Sequence, residues 1–156
     1  ALPTPAAVVR IDVSSALEMR DAVKSALAGR DIFIAVAAVA DYRPVKTAEH
    51  KIKKGAAGMT LELVANPDIL AEVAALPNAP FCVGFAAESE SVVANAQAKL
   101  KSKGVALLVA NQAQDALAAD EAEVHLVDAD GVATLPRAAK LEQARRIVAA
   151  IARRLG

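Results

Sequence analysis

The chain has 156 residues, the length of one ordinary domain, and 55% of them are hydrophobic, ample for a packed core. Its 18 basic and 18 acidic side chains cancel, and one tyrosine with three phenylalanines leaves little for stacking bases, so composition argues against a nucleic-acid partner. The apolar runs fall short of the ~20 residues a membrane helix needs, and the first residues lack a basic-then-apolar signal pattern, so a cytoplasmic protein with no membrane partner is expected.

In chain order, residues 8–13 read as a short strand, and Ser14 or Ser15 caps a helix to about residue 27, with Glu18 in its first turn and Gly29 ending it. Residues 32–39, an uncharged Val- and Ile-rich run, read as a strand buried on both faces. A polar loop follows over 41–58, then a strand at 59–64 and a helix opening at Asn66-Pro67-Asp68, with Pro67 at the first helical position, where its missing N–H is not needed. Residues 81–85 form the next buried strand, and the lone Cys82 within it is expected to be a structural thiol, since one cysteine makes neither a disulfide nor a thiolate cluster. A helix over 92–103 closes at Gly104, and a strand follows over 105–110. Residues 123–127 and 132–135 flank Asp128-Ala129-Asp130-Gly131 as a hairpin, and a final helix runs over 137–155 with Leu141, Ala144, Ile147, Val148 and Ile151 on its apolar face. Alternating strands and helices predict a Rossmann-like three-layer α/β fold, mostly parallel, with a C-terminal antiparallel hairpin, in a single domain over 1–156.

Polar residues gather where these strands end: Asp41 after the second, Asn66-Pro67-Asp68 after the third, Glu88 after the fourth and Asn111 after the fifth. In open α/β sheets ligands bind outside the carboxyl ends of the strands. Lys51-Ile52-Lys53-Lys54 follows Asp41 closely, and converging ammonium groups suit an anionic, phosphorylated ligand. Individually these residues have plainer readings: Asn66, Asp68 and Asn111 as caps or turn formers, the lysine run as a solvated loop, and Lys99 and Lys103 as an exposed helix face. Neither His50 nor His125 has a nucleophile motif or a metal-ligand partner at helical spacing, so a triad and a protein-built metal site are both disfavoured. Gly55 and Gly58 follow a loop instead of a strand, which disfavours dinucleotide binding and a nicotinamide-dependent oxidoreductase.

Ala37-Ala38-Val39-Ala40-Asp41-Tyr42-Arg43, Lys51-Ile52-Lys53-Lys54, Asn66-Pro67-Asp68-Ile69-Leu70, Val83-Gly84-Phe85-Ala86-Ala87-Glu88 and Ala110-Asn111 stand in the order and spacing of a known family. Through them essentially the whole chain resembles the phosphopantothenate-cysteine ligase family, in bacteria the partner half of a flavin-dependent decarboxylase in coenzyme A biosynthesis. The resemblance implies a CTP-dependent ligation of 4′-phosphopantothenate to L-cysteine through an acyl-cytidylate, with Mg²⁺ present but no metal residue assigned, and FMN only on a fused decarboxylase half. It implies that Ala35, Val36, Ala37 and Asp41 line a nucleotide pocket beside a catalytic Lys51, and that Pro67, Asp68, Ile69 and Leu70 offer a helix N-terminus to the nucleotide. Phe85 would pack on the cytidine, Lys99 and Lys103 would reach its polar groups or phosphates, and Ala38 and Asn111 would contact the acyl substrate. It further implies a homodimer. Members of the family place a βαβ unit with a glycine-rich phosphate loop ahead of the matched segment, and this chain is expected to lack it. Gln112 stands where the family commonly has Asp, and residues 116–123 lack its Gly-Phe segment. A non-catalytic nucleotide-binding or regulatory domain of the same fold is the alternative.

Overall fold

The computed structural model describes residues 3–48, 50–54, 58–114 and 119–156. The chain divides into two compact units, Ala1–Ala28 with Ala38–Asp68, and Gly29–Ala37 with Ile69–Gly156.

The second unit holds a five-stranded sheet in the order β1 (Ile32–Ala35), β4 (Phe81–Glu88), β5 (Leu107–Gln112), β6 (Glu121–Asp128), β7 (Gly131–Ala139). β1, β4 and β5 pair in parallel, and the hairpin β6–β7 joins antiparallel, so β6 alone runs against the others. Helices α2 (Ile69–Ala74) and α3 (Val92–Lys103) cover one face and α4 (Lys140–Leu155) the other, the expected α/β layering with its C-terminal hairpin. Val83, Leu107, Val109, Val124 and Leu126 form the core beneath Ile147, Ala150 and Ile151 of α4. Gly84 leaves room for the other layer: a Cβ there would stand 2.7 Å from Leu70 Cδ2 and 2.9 Å from Leu108 Cδ1. Cys82 is buried as expected, and burial pushes its thiol pKa up.

The helix-ending and turn signals hold. Ser15 caps α1 (Ala16–Ala26) by accepting from Glu18 N at 3.2 Å, while the Glu18 carboxylate accepts from Ser14 N at 2.7 Å. Gly104 ends α3 with φ 62°. Asp128 Oδ1 accepts from the backbone N–H of Asp130 and Gly131 and closes the hairpin.

Other expectations need correction. Residues 8–13 form no strand: they pair with no strand among the described residues, and Val8, Val9 and Ile11 are exposed. β1 covers only four residues and is not buried on both faces; among the described residues it is the sheet's edge, paired with β4 alone, and Ile32 and Ile34 are each 40% exposed. The stretch read as loop contains β2 (Tyr42–Pro44), paired antiparallel with β3 (Leu63–Ala65), a shorter strand than expected. Pro67 lies outside α2, which starts at Ile69. α4 starts at Lys140 instead of residue 137 because β7 stays paired as far as Ala139, opposite Glu121. Its buried face is Gln143, Ile147, Ala150 and Ile151, whereas Leu141, Ala144 and Val148 are exposed. The rotation has a polar cause: Gln143 Nε2 donates to Ala122 O at 2.6 Å and Pro136 O at 2.8 Å, so that face must meet the hairpin.

Candidate functional site

In the second unit the register aligns the ends of β4 and β5, while β1 stops four residues short of the end of β4. Ala35 stands opposite Gly84, Ala87 opposite Asn111, and Glu88 opposite Gln112. Alternation along β4 sends Gly84, Ala86 and Glu88 toward α2 and α3, and Val83, Phe85 and Ala87 toward α4. Phe85, 36% exposed, and Asn111 therefore share the α4 side of the edge, and Lys99 stands on the opposite side. The residues expected on the base and on the phosphates thus flank the strand ends instead of lining one face. Lys103 is one helical turn, about 5.4 Å, beyond Lys99 toward the end of α3. Val36 and Ala37, just past β1, are exposed.

Ile69 is buried and Leu70 lies over Gly84, so their side chains anchor α2 on the sheet, and only backbone groups remain for a ligand. With six residues α2 carries only a partial macrodipole.

In the first unit Asn66 ties distant segments of the chain together. Its backbone N–H donates to Asp41 O at 2.8 Å, its Nδ2 donates to Ala40 O at 2.8 Å, and its Oδ1 accepts from Arg43 Nη1 at 3.2 Å. Arg43 also donates to Ala65 O at 2.7 Å. These bonds fix the turn carrying Asp41 beside Pro67 and Asp68, bringing together three residues the sequence placed at separate strand ends. Asp41 itself is exposed, as are Ala38 and Lys51, the latter in an irregular stretch with Lys53 and Lys54. The clamp was missed because Arg43 and Asn66 lie 23 residues apart.

His125 is a hairpin residue, its Nδ1 3.0 Å from Thr134 Oγ1 across the strands. Together with Val92, Gln112, Glu123 and Arg137 it lines a shallow cavity of about 210 Å³. Among the described residues no three His, Cys, Asp or Glu side chains gather as a metal site. None of the described helices is long and apolar enough to cross a membrane.

Comparison with known proteins agrees with this fold. The family model described as "DNA/pantothenate metabolism flavoprotein C-terminal domain" matches residues 1–155. The coenzyme A biosynthesis bifunctional protein CoaBC of Vibrio cholerae is 54% identical over 113 residues, 70% of this chain and 28% of that protein. The Escherichia coli CoaBC is 44% identical over 142 residues, 86% of this chain and 35% of that protein. The chain thus spans about a third of the length of these relatives. The crystal structure of the C-terminal domain of CoaBC superposes with a TM-score of 0.77 at 31% identity, covering 99% of this chain and 72% of that one. A DNA/pantothenate metabolism flavoprotein from Streptococcus pneumoniae shares the fold, with a TM-score of 0.71 at 18% identity over 89% of this chain and 70% of that one. Sheet order, strand-end residues and a match along nearly the full sequence lead to one conclusion: the chain belongs to the DNA/pantothenate metabolism flavoprotein C-terminal domain family.

Proposed function

We propose that this chain is the ligase part of a coenzyme A biosynthesis protein, joining 4′-phosphopantothenate to L-cysteine at the expense of CTP. The observation that carries the reading is the placement of Ala35, Phe85 and Asn111 toward the carboxyl ends of three adjacent parallel strands, with a lysine-bearing helix beside them, in a member of this family. In the first step a substrate carboxylate oxygen attacks the α-phosphorus of CTP, forming an acyl-cytidylate and expelling pyrophosphate. The cysteine amine then attacks the acyl carbon, gives up a proton, and releases CMP as the amide forms. Neither step needs a side-chain nucleophile; both need two anions held together in line.

The roles follow from chemistry and position. Lys51, on an exposed segment, suits neutralising charge on the triphosphate and acyl-phosphate. Phe85 offers a ring face to cytosine, Lys99 and Lys103 supply ammonium groups, and Ala35, Val36 and Ala37 supply backbone groups at close approach. Asp41, Pro67 and Asp68, held together by Asn66, suit the ribose or phosphate side, with backbone donors from Ile69 and Leu70. Ala38 and Asn111 are assigned to the acyl substrate.

Mg²⁺ would be carried on the nucleotide, since that ion commonly binds phosphates with only one or two protein carboxylates. Asp41 would be such a carboxylate, and the ion would offset phosphate charge. FMN belongs, on this reading, to a fused decarboxylase half, and no residue here is assigned to it. A second copy of the chain is the proposed partner, since Ile52, Met59, Leu61 and Leu63 expose apolar surface in the first unit. The setting is the cytoplasm.

Thermal unfolding with each nucleotide tests the reading. CTP should raise the melting temperature more than ATP, GTP or NAD at equal concentration. The full-length protein should release pyrophosphate from CTP only when 4′-phosphopantothenate is present. Equal shifts from all four nucleotides would reduce the site to a general anion binder, and specific binding without turnover would make the domain regulatory.

A further inference from the structure

Glu88, the last residue of β4, is only 9% exposed. Its Oε1 lies 2.6 Å from Lys99 Nζ, and its Oε2 accepts from Asn95 Nδ2 at 3.3 Å. Asn95 is itself fixed, since the same Nδ2 donates to Glu90 O at 2.9 Å. The ion pair is lopsided. The Glu88 side chain is 12% exposed and that of Lys99 45%, so the anion is inside and the cation faces solvent. The ammonium carries three N–H donors, and its contact with Oε1 leaves donors for a second acceptor.

A buried carboxylate is a poor device for stability, because an ion pair loses in desolvation much of what it gains in attraction, and a neutral residue would end the strand as well. Its effect here is to hold a flexible ammonium at the carboxyl end of β4, on the α3 side of the sheet, where Glu88 pairs with Gln112 of β5. Lysine carries four rotatable side-chain bonds, and an anchored ammonium loses less freedom on meeting an anion. We propose that Glu88 is a positioning residue that holds Lys99 at the strand end to receive the nucleotide, with Asn95 orienting the carboxylate. The inference rests on the assignment of Lys99 to the nucleotide and adds the group through which that lysine acts.

Steady-state kinetics of the full-length protein, with CTP varied and pyrophosphate release followed, test it in four variants: Lys99→Met, Glu88→Gln, the double variant and Glu88→Asp. Lys99→Met should raise KM for CTP ~10-fold, the scale of one charge-assisted hydrogen bond, and Glu88→Gln should raise it nearly as far, with kcat falling much less. The double variant should be no worse than Lys99→Met, because both changes remove one device. Glu88→Asp, which keeps the charge but withdraws it by one methylene, should fall between wild type and Glu88→Gln, and it provides the reading if the Gln variant does not fold. Multiplying effects in the double variant, or a KM within twofold of wild type for both Glu88 variants while Lys99→Met is impaired, would overturn the positioning role alone. A lowered KM in Glu88→Gln would overturn it too, by making Glu88 a competitor for the ammonium. An unchanged KM in Lys99→Met would overturn the lysine assignment and the positioning role together.

Discussion

The two compact units solve the problem of burial differently. In the second, Leu107, Leu108, Val109, Leu126 and Val127 are at most 2% exposed. In the first, α1 buries no residue, and Leu61, Leu63 and Met59 are each more than half exposed around a two-stranded ribbon. Two strands without a covering layer are marginal by themselves, so that unit draws little of its order from its own core. Yet it carries Asp41, Lys51 and the Asn66 clamp. Stability and proposed chemistry are thus unevenly distributed: one unit supplies a rigid edge, and the other supplies exposed charge.

The largest effect expected from this contrast is on stability. Leu107→Ala should cost ~2–5 kcal/mol in urea unfolding, whereas Leu63→Ala should cost ~0.5 kcal/mol or less. A comparable loss at Leu63 would mean that another surface covers it, as a dimer would. Lys51→Ala should invert the pattern, lowering kcat/KM in the full-length protein at least ~10²-fold, about 2.7 kcal/mol, while the melting temperature barely moves. Near-normal turnover would return Lys51 to the role of a solvated loop residue. Gly84→Ala comes next, at ~1–3 kcal/mol, because the new methyl meets Leu70 and Leu108 on the crowded face. A neutral result would show that both leucines can step aside.

The smallest effect is acid-dependent. Partial burial raises the pKa of Asp128, but its hydrogen bond from Arg154, the backbone donors of Asp130 and Gly131, and the Arg154 charge together hold the carboxyl below its ordinary range. A carboxyl depressed by folding adds stability above the unfolded value, about 3.9, and loses it as pH falls through the folded value. Asp128→Asn should therefore lower neutral-pH stability by ~1 kcal/mol or less and flatten the stability profile below about pH 4. An unchanged acid limb would show that the Arg154 clasp is not what depresses the group.

What the sequence made legible was local. Ser15 with Glu18, Gly104 and the Asp128 turn are signals completed within a few residues, and each marks an element boundary in the structure. Edge position was not legible, because β1 reads as buried until the strand order of the described residues, with β4 beside it on one side, is known. The orientation of α4 was hidden for a similar reason. That helix has two apolar stripes, and the choice between them rests on Gln143 reaching Ala122 and Pro136 in the hairpin. The strand-end positions of Phe85, Glu88 and Asn111 could be read, but not that Asp41 leads into β2 in the first unit instead of closing β1, that Phe85 and Lys99 flank the strand end from opposite sides, or that Glu88 pairs with Lys99. A glutamate ending a buried strand with a lysine on the next helix is the trace such a pair leaves.

Cys82 acquires a second meaning if the proposed substrates are right. A ligase for cysteine works among thiols, in its amino-acid substrate and in the product it releases, and both can enter disulfide exchange. Exchange requires a reachable thiolate, and this chain's own cysteine is 3% exposed near the start of β4, with burial favouring its protonated form. The domain is in that sense redox-silent: mixed disulfides with cystine or with the product find no attachment point on it while the sheet stays folded.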